Sequence, residues 1–200
     1  LFAAAGMPAD RAAIVARYLV EADLMGHDTH GLAQAAGYLK DLLAGRMPAA
    51  GDVEIVSDRT VAAVWDGGYR SGVWLAWKAV DEAARRAKAH GLAAIAVRRS
   101  HHIACLAAFL SIATEQGLAV MLVSSDPSVK AVAPFGATEA LFTPNPIAFG
   151  YPTDGDPVLI DISASATTMG LAMRAKGEGG RLTGPWLIGA DGQATDDPEV

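Results

Sequence analysis

The sequence predicts an α/β fold: a mixed, largely parallel sheet covered by helices, with an N-terminal helical segment in front. Three observations predict it. First, two helix–glycine–strand units follow one another, at "AARRAKAHGLAAIAV" and at "IATEQGLAVMLVSS". A helix that passes through a glycine stop into an apolar strand, twice in series, implies crossover connections, and crossovers join parallel strands. Second, no G-x-G-x-x-G turn follows a strand, so the usual dinucleotide turn is missing. Third, 52% of the 200 residues are apolar, ample for a core.

The elements follow in order. Ile14, Val15, Tyr18, Leu19, Ala22 and Met25 recur at helical spacing over residues 9 to 25, with Asp10 as the expected N-cap. Leu32, Ala35, Ala36, Leu39 and Leu43 mark a second helix from Gly31 to Leu43, stopped at Gly45. Val53–Val56 and Thr60–Trp65 read as short strands, with turns at Ser57-Asp58 and Asp66-Gly67-Gly68. Ser71 to His90 is the clearest helix, with Trp74 and Trp77 packing in the core and Gly91 as its stop. "LAAIAV" is a continuous apolar run of the kind buried on both faces. A helix from Ile103 to Gln116 and the strand "LAVMLVSS" repeat the pattern. Beyond Asp126 the chain is rich in proline and glycine. Ala140–Phe142, Ile147–Phe149 and Val158–Ile162 are expected as strands, and 174–200 as loop. The expected organisation is a helical segment 1–47, an α/β region 48–173, and a loop-rich part 174–200.

Composition excludes several classes. The net charge is −6 and no basic face is evident, which argues against nucleic acid as a partner. No apolar run approaches the roughly 18 residues of a membrane span. Cys105 is the only cysteine, so no internal disulfide forms and a reducing compartment, the cytoplasm, is expected. Cys105 reads as packing, since an apolar setting gives no reason for an activated thiol. The chain lacks a starting methionine and stops in the loop-like "TDDPEV". It reads as a fragment of a longer protein, inactive alone.

Four of the five histidines fall in two clusters, His27/His30 in "GHDTHG" and His101/His102 in "RRSHHIAC". Three readings are open for them: metal ligands, packed and hydrogen-bonded residues, or proton handlers. Zinc would need a third ligand and supporting partners. Proton transfer suits a side chain that titrates near neutrality, and His30 stands where one helix breaks and another begins. Ser100, His101 and His102 follow a strand and open a helix. That is the sheet edge where α/β proteins place ligand sites and where helix N–H groups favour anions. Adjacent residues diverge, so only one of the two histidines is expected to enter a site. Ser124, Ser125 and Asp126 close the next strand at the same edge. Asp161 lies inside the apolar "LIDIS", where a carboxylate needs a partner, a ligand or a cap.

The order of these segments resembles the type-2 malate/L-lactate dehydrogenase family over nearly the whole chain. Thr29-His30-Gly31 stands at the family's Ser-His-Gly element, and Ala87 to Gly91 at its A-x-x-H-G. Ser100-His101-His102-Ile103-Ala104 is similar to its S-x-H-x-G. "VAPFG", "NPIA", "DISAS" and "DGQATDDP" follow in the family's order. The resemblance implies a non-Rossmann oxidoreductase that uses NAD or NADP. Hydride would pass between nicotinamide and C2 of a small 2-oxo or 2-hydroxy acid or a cyclic imino acid. It implies His30 as proton donor, His102 as a second acid/base, and Asp161 near the acid. Ser125, Ile160, Asp161 and Ile162 match cofactor contacts, and Thr29 and Gln34 substrate contacts. A homodimer is implied, and no metal is required.

There are departures. Thr29 replaces serine. Gln34 stands where an arginine commonly grips the substrate carboxylate, so simple malate and lactate are expected to be poor substrates, with Arg99 a weak alternative holder. Ala104 replaces a glycine, and Thr143-Pro144 replaces Gly-Thr. Two rival readings remain: a metal-dependent hydrolase using His27, His30 and the His101/His102 pair, and a non-catalytic association module.

Overall fold

The computed structural model describes residues 1–200. Two compact units divide the chain: Leu1–Met121 with Ala148–Ile160, and Leu122–Ile147 with Asp161–Val200.

In the first unit, α1 (Ala9–Leu24) packs against α3 (Gly72–His90) and a 3-10 turn (Ala107–Phe109) that leads into α4 (Ser111–Thr114). Val15, Leu19, Val73, Phe109 and Leu110 are fully buried there, and Tyr18 stacks on Phe109 at 4.7 Å. Truncating an aromatic so enclosed costs about 3–5 kcal/mol. Pro8, not Asp10, caps α1, and Asp10 lies inside the first turn. Proline has no N–H to satisfy, so the helix starts there without a side-chain acceptor. Arg11 lies 3.6 Å over the Trp74 ring and donates to the Ala49 and Gly51 carbonyls, which ties the 47–52 loop to the helices.

The second helix is shorter than expected. Leu32–Gln34 is a 3-10 turn and α2 runs Ala35–Leu43. Its buried residues are Tyr38 and Leu42, while Leu32 and Leu43 are exposed. The buried stripe is therefore displaced from the one the aliphatic spacing picks out, because the 3-10 turn shifts the helical phase by part of a turn.

Strands β1 (Glu54–Arg59), β2 (Ala62–Asp66) and β3 (Ala94–Arg98) form one sheet in that order. β1 pairs antiparallel with β2, and Ser57 and Asp58 sit within β1, so the turn falls at Thr60-Val61 instead. β2 and β3 are parallel, joined by α3 as crossover. Ser71 caps α3 by accepting from Trp74 N, and Gly91 takes the left-handed position at its end with φ 89°. Trp65, Ala63, Ile95, Val97 and Ala79 pack together on the covered side. The other side of β3 is open, with Ala94, Ala96 and Arg98 exposed. Continuous apolarity misled here because the outward positions are alanines, whose exposure costs little.

The helix expected from Ile103 begins only at Ala107, and residues 101–105 are irregular. β4 (Val120–Val123), β5 (Ile147–Tyr151) and β6 (Val158–Ile162) form a second sheet. Gly150 lets β5 approach α4, since a Cβ there would meet Thr114 at 2.8 Å. The α/β class holds, with the strands shared between two three-stranded sheets and a terminal pair.

In the second unit, Ala140–Phe142 makes only an isolated bridge, Val132 to Phe142. The segment expected as loop carries the end of α5 (Met169–Gly177), capped by Thr168, and a hairpin of β7 (Leu187–Ile188) and β8 (Ala194–Thr195). Arg181 pairs with Asp196 at 2.6 Å beside that hairpin. No helix is long and apolar enough to cross a membrane.

Candidate functional site

The loop after α1 presents His30. Its turns are closed by backbone bonds from His27 N to Ala22 O and from His30 N to His27 O, both 2.8 Å. Asp23 accepts from Leu32 N at 3.1 Å and caps the 3-10 turn. Gly31 has no side chain for a physical reason: a Cβ there would run into the Asp23 carboxylate and lie 2.9 Å from the Leu19 carbonyl oxygen. Thr29 is buried, and its Oγ1 lies 2.9 Å from His30 Nδ1. Gln34 donates from Nε2 to the Thr29 carbonyl at 2.7 Å. Thr29, His30 and Gln34 thus form one hydrogen-bonded group. His30 precedes the helix, so no shared helix face links it to Gln34, and one Gln34 amide hydrogen is already committed to the loop.

The second histidine cluster is held from below by a buried carboxylate. Asp66 is 1% exposed and accepts from Arg99 Nε at 2.8 Å, Arg98 Nε at 2.9 Å and Gly68 N at 3.0 Å. Arg99 first, then these other donors, keep its carboxyl below the ordinary range against the opposing effect of burial. Backbone bonds from Gly67 N to Arg98 O and from His101 N to Arg70 O fasten the strand end to the neighbouring loop. Gly72 opens α3 against the His101 and His102 carbonyls, in the space a Cβ would occupy. Arg99 commits its Nε to Asp66, and its side chain stays half exposed.

The adjacent histidines diverge. His101 Nε2 lies 3.0 Å from Asp41 Oδ2, while Arg46 grips the other oxygen, Oδ1. Arg46 first, then His101, lower the Asp41 carboxyl. His102 turns the other way, and its ring centroid lies 5.7 Å from that of His30. One member of the pair enters the site, as the residue order requires. His27, His30 and the His101/His102 pair do not gather as one metal-ligand set.

Tyr38 was passed over in the sequence and stands at the centre. It is 3% exposed, meets His101 edge-on at 5.5 Å, and its hydroxyl lies 2.6 Å from His102 Nδ1. Burial pushes its phenol far above the ordinary tyrosine value, so it stays protonated. A signal existed. A tyrosine buried on a short helix must give its hydroxyl a partner, and the histidine clusters were the available ones.

Ile160 lies in the first unit, and Ser125, Asp161 and Ile162 in the second. Ser125 is exposed beyond β4. Ile160 and Ile162 point to the open face of β6, while Asp161 is half-buried on the opposite face. Cys105 is buried, but its surroundings are not wholly apolar: its Sγ lies within 4.8 Å of a His27 ring nitrogen.

Comparison with known proteins places the sequence and the fold. The sequence profile of one family, malate/L-lactate dehydrogenase, matches residues 1–200. A (2R)-3-sulfolactate dehydrogenase (NADP(+)) of Chromohalobacter salexigens is 32% identical over 198 residues, which are 98% of this chain and 59% of that protein. A dehydrogenase from Sinorhizobium meliloti superposes with a TM-score of 0.90 at 31% identity, over 99% of this chain and 58% of that one. A Δ1-piperideine-2-carboxylate reductase from Pseudomonas syringae gives 0.85 at 29%, over 99% and 59%. The chain spans little more than half the length of such relatives.

Proposed function

This chain belongs to the malate/L-lactate dehydrogenase family, and we propose that it carries the proton-handling half of an NAD- or NADP-dependent oxidoreductase acting at C2 of a small acid. The substrate class is a 2-oxo or 2-hydroxy acid or a cyclic imino acid, consistent with relatives named for sulfolactate and piperideine carboxylate. The observation that carries the reading is the pair of imidazoles, His30 and His102, 5.7 Å apart, His30 beside a Gly31 that has no room for a side chain and His102 on a segment whose carbonyl fills the place of a Gly72 side chain. Loops so tightly fastened hold side chains in place, which is what proton transfer demands.

The residues assigned to the cofactor fit it chemically. Ile160 and Ile162 offer an apolar strip on β6 for a flat ring, and the exposed Ser125 hydroxyl offers a polar contact. The cofactor supplies or accepts the hydride. The part of this chain is to hold the acid, keep the reacting carbon oriented, and move the proton of the C2 oxygen or nitrogen. His30 and His102 are its acid/base candidates, and Thr29 orients His30. Gln34 reads the substrate with the amide capacity left after its bond to Thr29. We take the working protein to be a cytoplasmic homodimer.

The test is a panel of 2-oxo, 2-hydroxy and imino acids on the full-length protein, followed by cofactor absorbance. At least one class should turn over, and His30→Ala should lower turnover by roughly 10²–10⁴-fold. No turnover with either cofactor, or a His30→Ala variant as active as wild type, would refute the reading.

A further inference from the structure

Two histidines face one another in the site, and their ring nitrogens are engaged differently. At His30 the neighbour of Nδ1 is the Thr29 hydroxyl, 2.9 Å away, which can either donate or accept. His30 can therefore place its hydrogen on Nδ1 and turn the Nε2 lone pair outward, as a general base requires.

At His102 two groups converge on Nδ1. The Tyr38 hydroxyl lies 2.6 Å away, and the Ala104 backbone N–H points at the same nitrogen from 3.4 Å. A backbone N–H only donates, so an Nδ1–H at His102 would oppose it. The Tyr38 hydroxyl could otherwise turn to the His102 carbonyl, but that oxygen is 3.4 Å away. Ala104 reaches its position only by adopting φ 69°, a left-handed conformation that costs an alanine roughly 1–2 kcal/mol. With Tyr38 as the donor, both groups would meet a lone pair on Nδ1, and the ring hydrogen would lie on Nε2.

We propose that Tyr38 is a positioning residue that fixes His102 in the Nε2–H tautomer, so that His102 donates a hydrogen bond to the substrate while His30 alone exchanges the proton. This rests on the oxidoreductase reading for what the hydrogen bond does, but not for the tautomer itself. A neutral Nε2–H imidazole polarises a carbonyl or imine without transferring a proton. It has no lone pair facing the substrate, so the acid/base work passes to the ring whose Nδ1 partner can accept.

The test uses full-length protein labelled with ¹⁵N at histidine, with His102 assigned by His102→Gln. At neutral pH the wild-type His102 spectrum should show a protonated Nε2 and an unprotonated Nδ1. Tyr38→Phe removes only a hydroxyl. It should move the His102 nitrogens toward a mixture of tautomers and lower turnover roughly ten-fold, the worth of one hydrogen bond, while His30 signals stay in place. If Tyr38→Phe fails to fold, 3-fluorotyrosine at position 38 should shift the His102 Nδ1 resonance in the wild-type background. His102→Gln keeps an N–H donor near the Nε2 position and should lose about ten-fold, whereas His30→Gln should lose roughly 10²–10⁴-fold. A wild-type Nδ1–H at His102, an unmoved His102 spectrum in Tyr38→Phe, or a His102→Gln loss as large as that of His30→Gln each overturns the proposal. An inactive protein with the expected spectra overturns the oxidoreductase reading and supports the tautomer assignment.

Discussion

Gly72 carries no side chain, and the carbonyl oxygens of His101 and His102 occupy the place one would take. Neither backbone can yield easily: the His101 amide is bonded to Arg70 O, and α3 begins at Gly72 behind the Ser71 cap. Gly72→Ala should therefore destabilise by about 1–3 kcal/mol, as overpacking does, and should displace His102. Denaturant unfolding reads the first effect and turnover the second. Wild-type values for both would mean that the two loops have slack. Gln34 is a second residue whose role is readable at this scale. Its bond to the Thr29 carbonyl holds the His30 loop, and in the proposed reading its neutral amide stands where a charged group would grip the substrate carboxylate. A charged hydrogen bond exceeds a neutral one by on the order of 1 kcal/mol, about five-fold in affinity. Gln34→Arg should thus favour simple 2-oxo acids over the native substrate, with some loss of stability from the lost loop contact. If the ranking across a substrate panel stays the same, Gln34 does not set specificity.

Among the elements, those set by strong local rules were legible in the sequence. α3 has its Ser71 cap and Gly91 stop, β6 runs Val158–Ile162 as expected, and the pairing of β2 with β3 across α3 follows from the helix–glycine–strand order. What failed depended on tertiary packing. The 101–105 segment was expected to open a helix, but Ala104 leaves helical space at φ 69° to bring its N–H to His102. Nothing in "HHIAC" announces that. The absent glycine at this position was noted only as a departure from the family pattern. Asp66 looked like a turn residue, and only the fold shows it as the buried acceptor for both arginines. The histidine clusters were visible as chemistry, but their meeting across Tyr38 was not, because the one signal, that a buried tyrosine hydroxyl needs a partner, does not place the tyrosine between them. Ala104 permits a direct check. Glycine relieves a left-handed cost of roughly 1–2 kcal/mol, and its greater freedom in the unfolded chain returns about 0.4–1 of that. Ala104→Gly should accordingly stabilise by about 0.5–1 kcal/mol in denaturant unfolding. A destabilised variant would show that the φ is not strained.

At the scale of the molecule, the first unit is laced by carboxylate–arginine pairs: Asp58 and Asp66 reach partners on other elements, while Glu82 pairs within α3 and shares Arg86 with Asp58. Arg86 on α3 joins Asp58 on β1 at 2.6 Å to Glu82 at 2.7 Å, and Asp66 at the end of β2 receives the arginines that follow β3. All three carboxyls lie below their ordinary values: Arg85 and Arg86 hold Glu82 down to about 2, Arg86 lowers Asp58, and Arg99 lowers Asp66. A carboxyl whose value falls on folding contributes stability that is present in full above its unfolded value. That contribution is lost as protons bind the folded form at lower pH. For Glu82 the window runs from about 4.5 down to about 2, and the two aspartates add in the same direction. The melting temperature should accordingly hold near neutrality and fall steeply below pH 4.5. General acid repulsion also lowers it, so the decisive comparison is Glu82→Gln. That variant lacks the titrating group: it should melt below wild type at pH 7 and lose less than wild type between pH 5 and pH 3 by calorimetry. Parallel curves for the two proteins would show that the Arg85–Glu82–Arg86 cluster is a solvated surface arrangement that does not join α3 to the sheet.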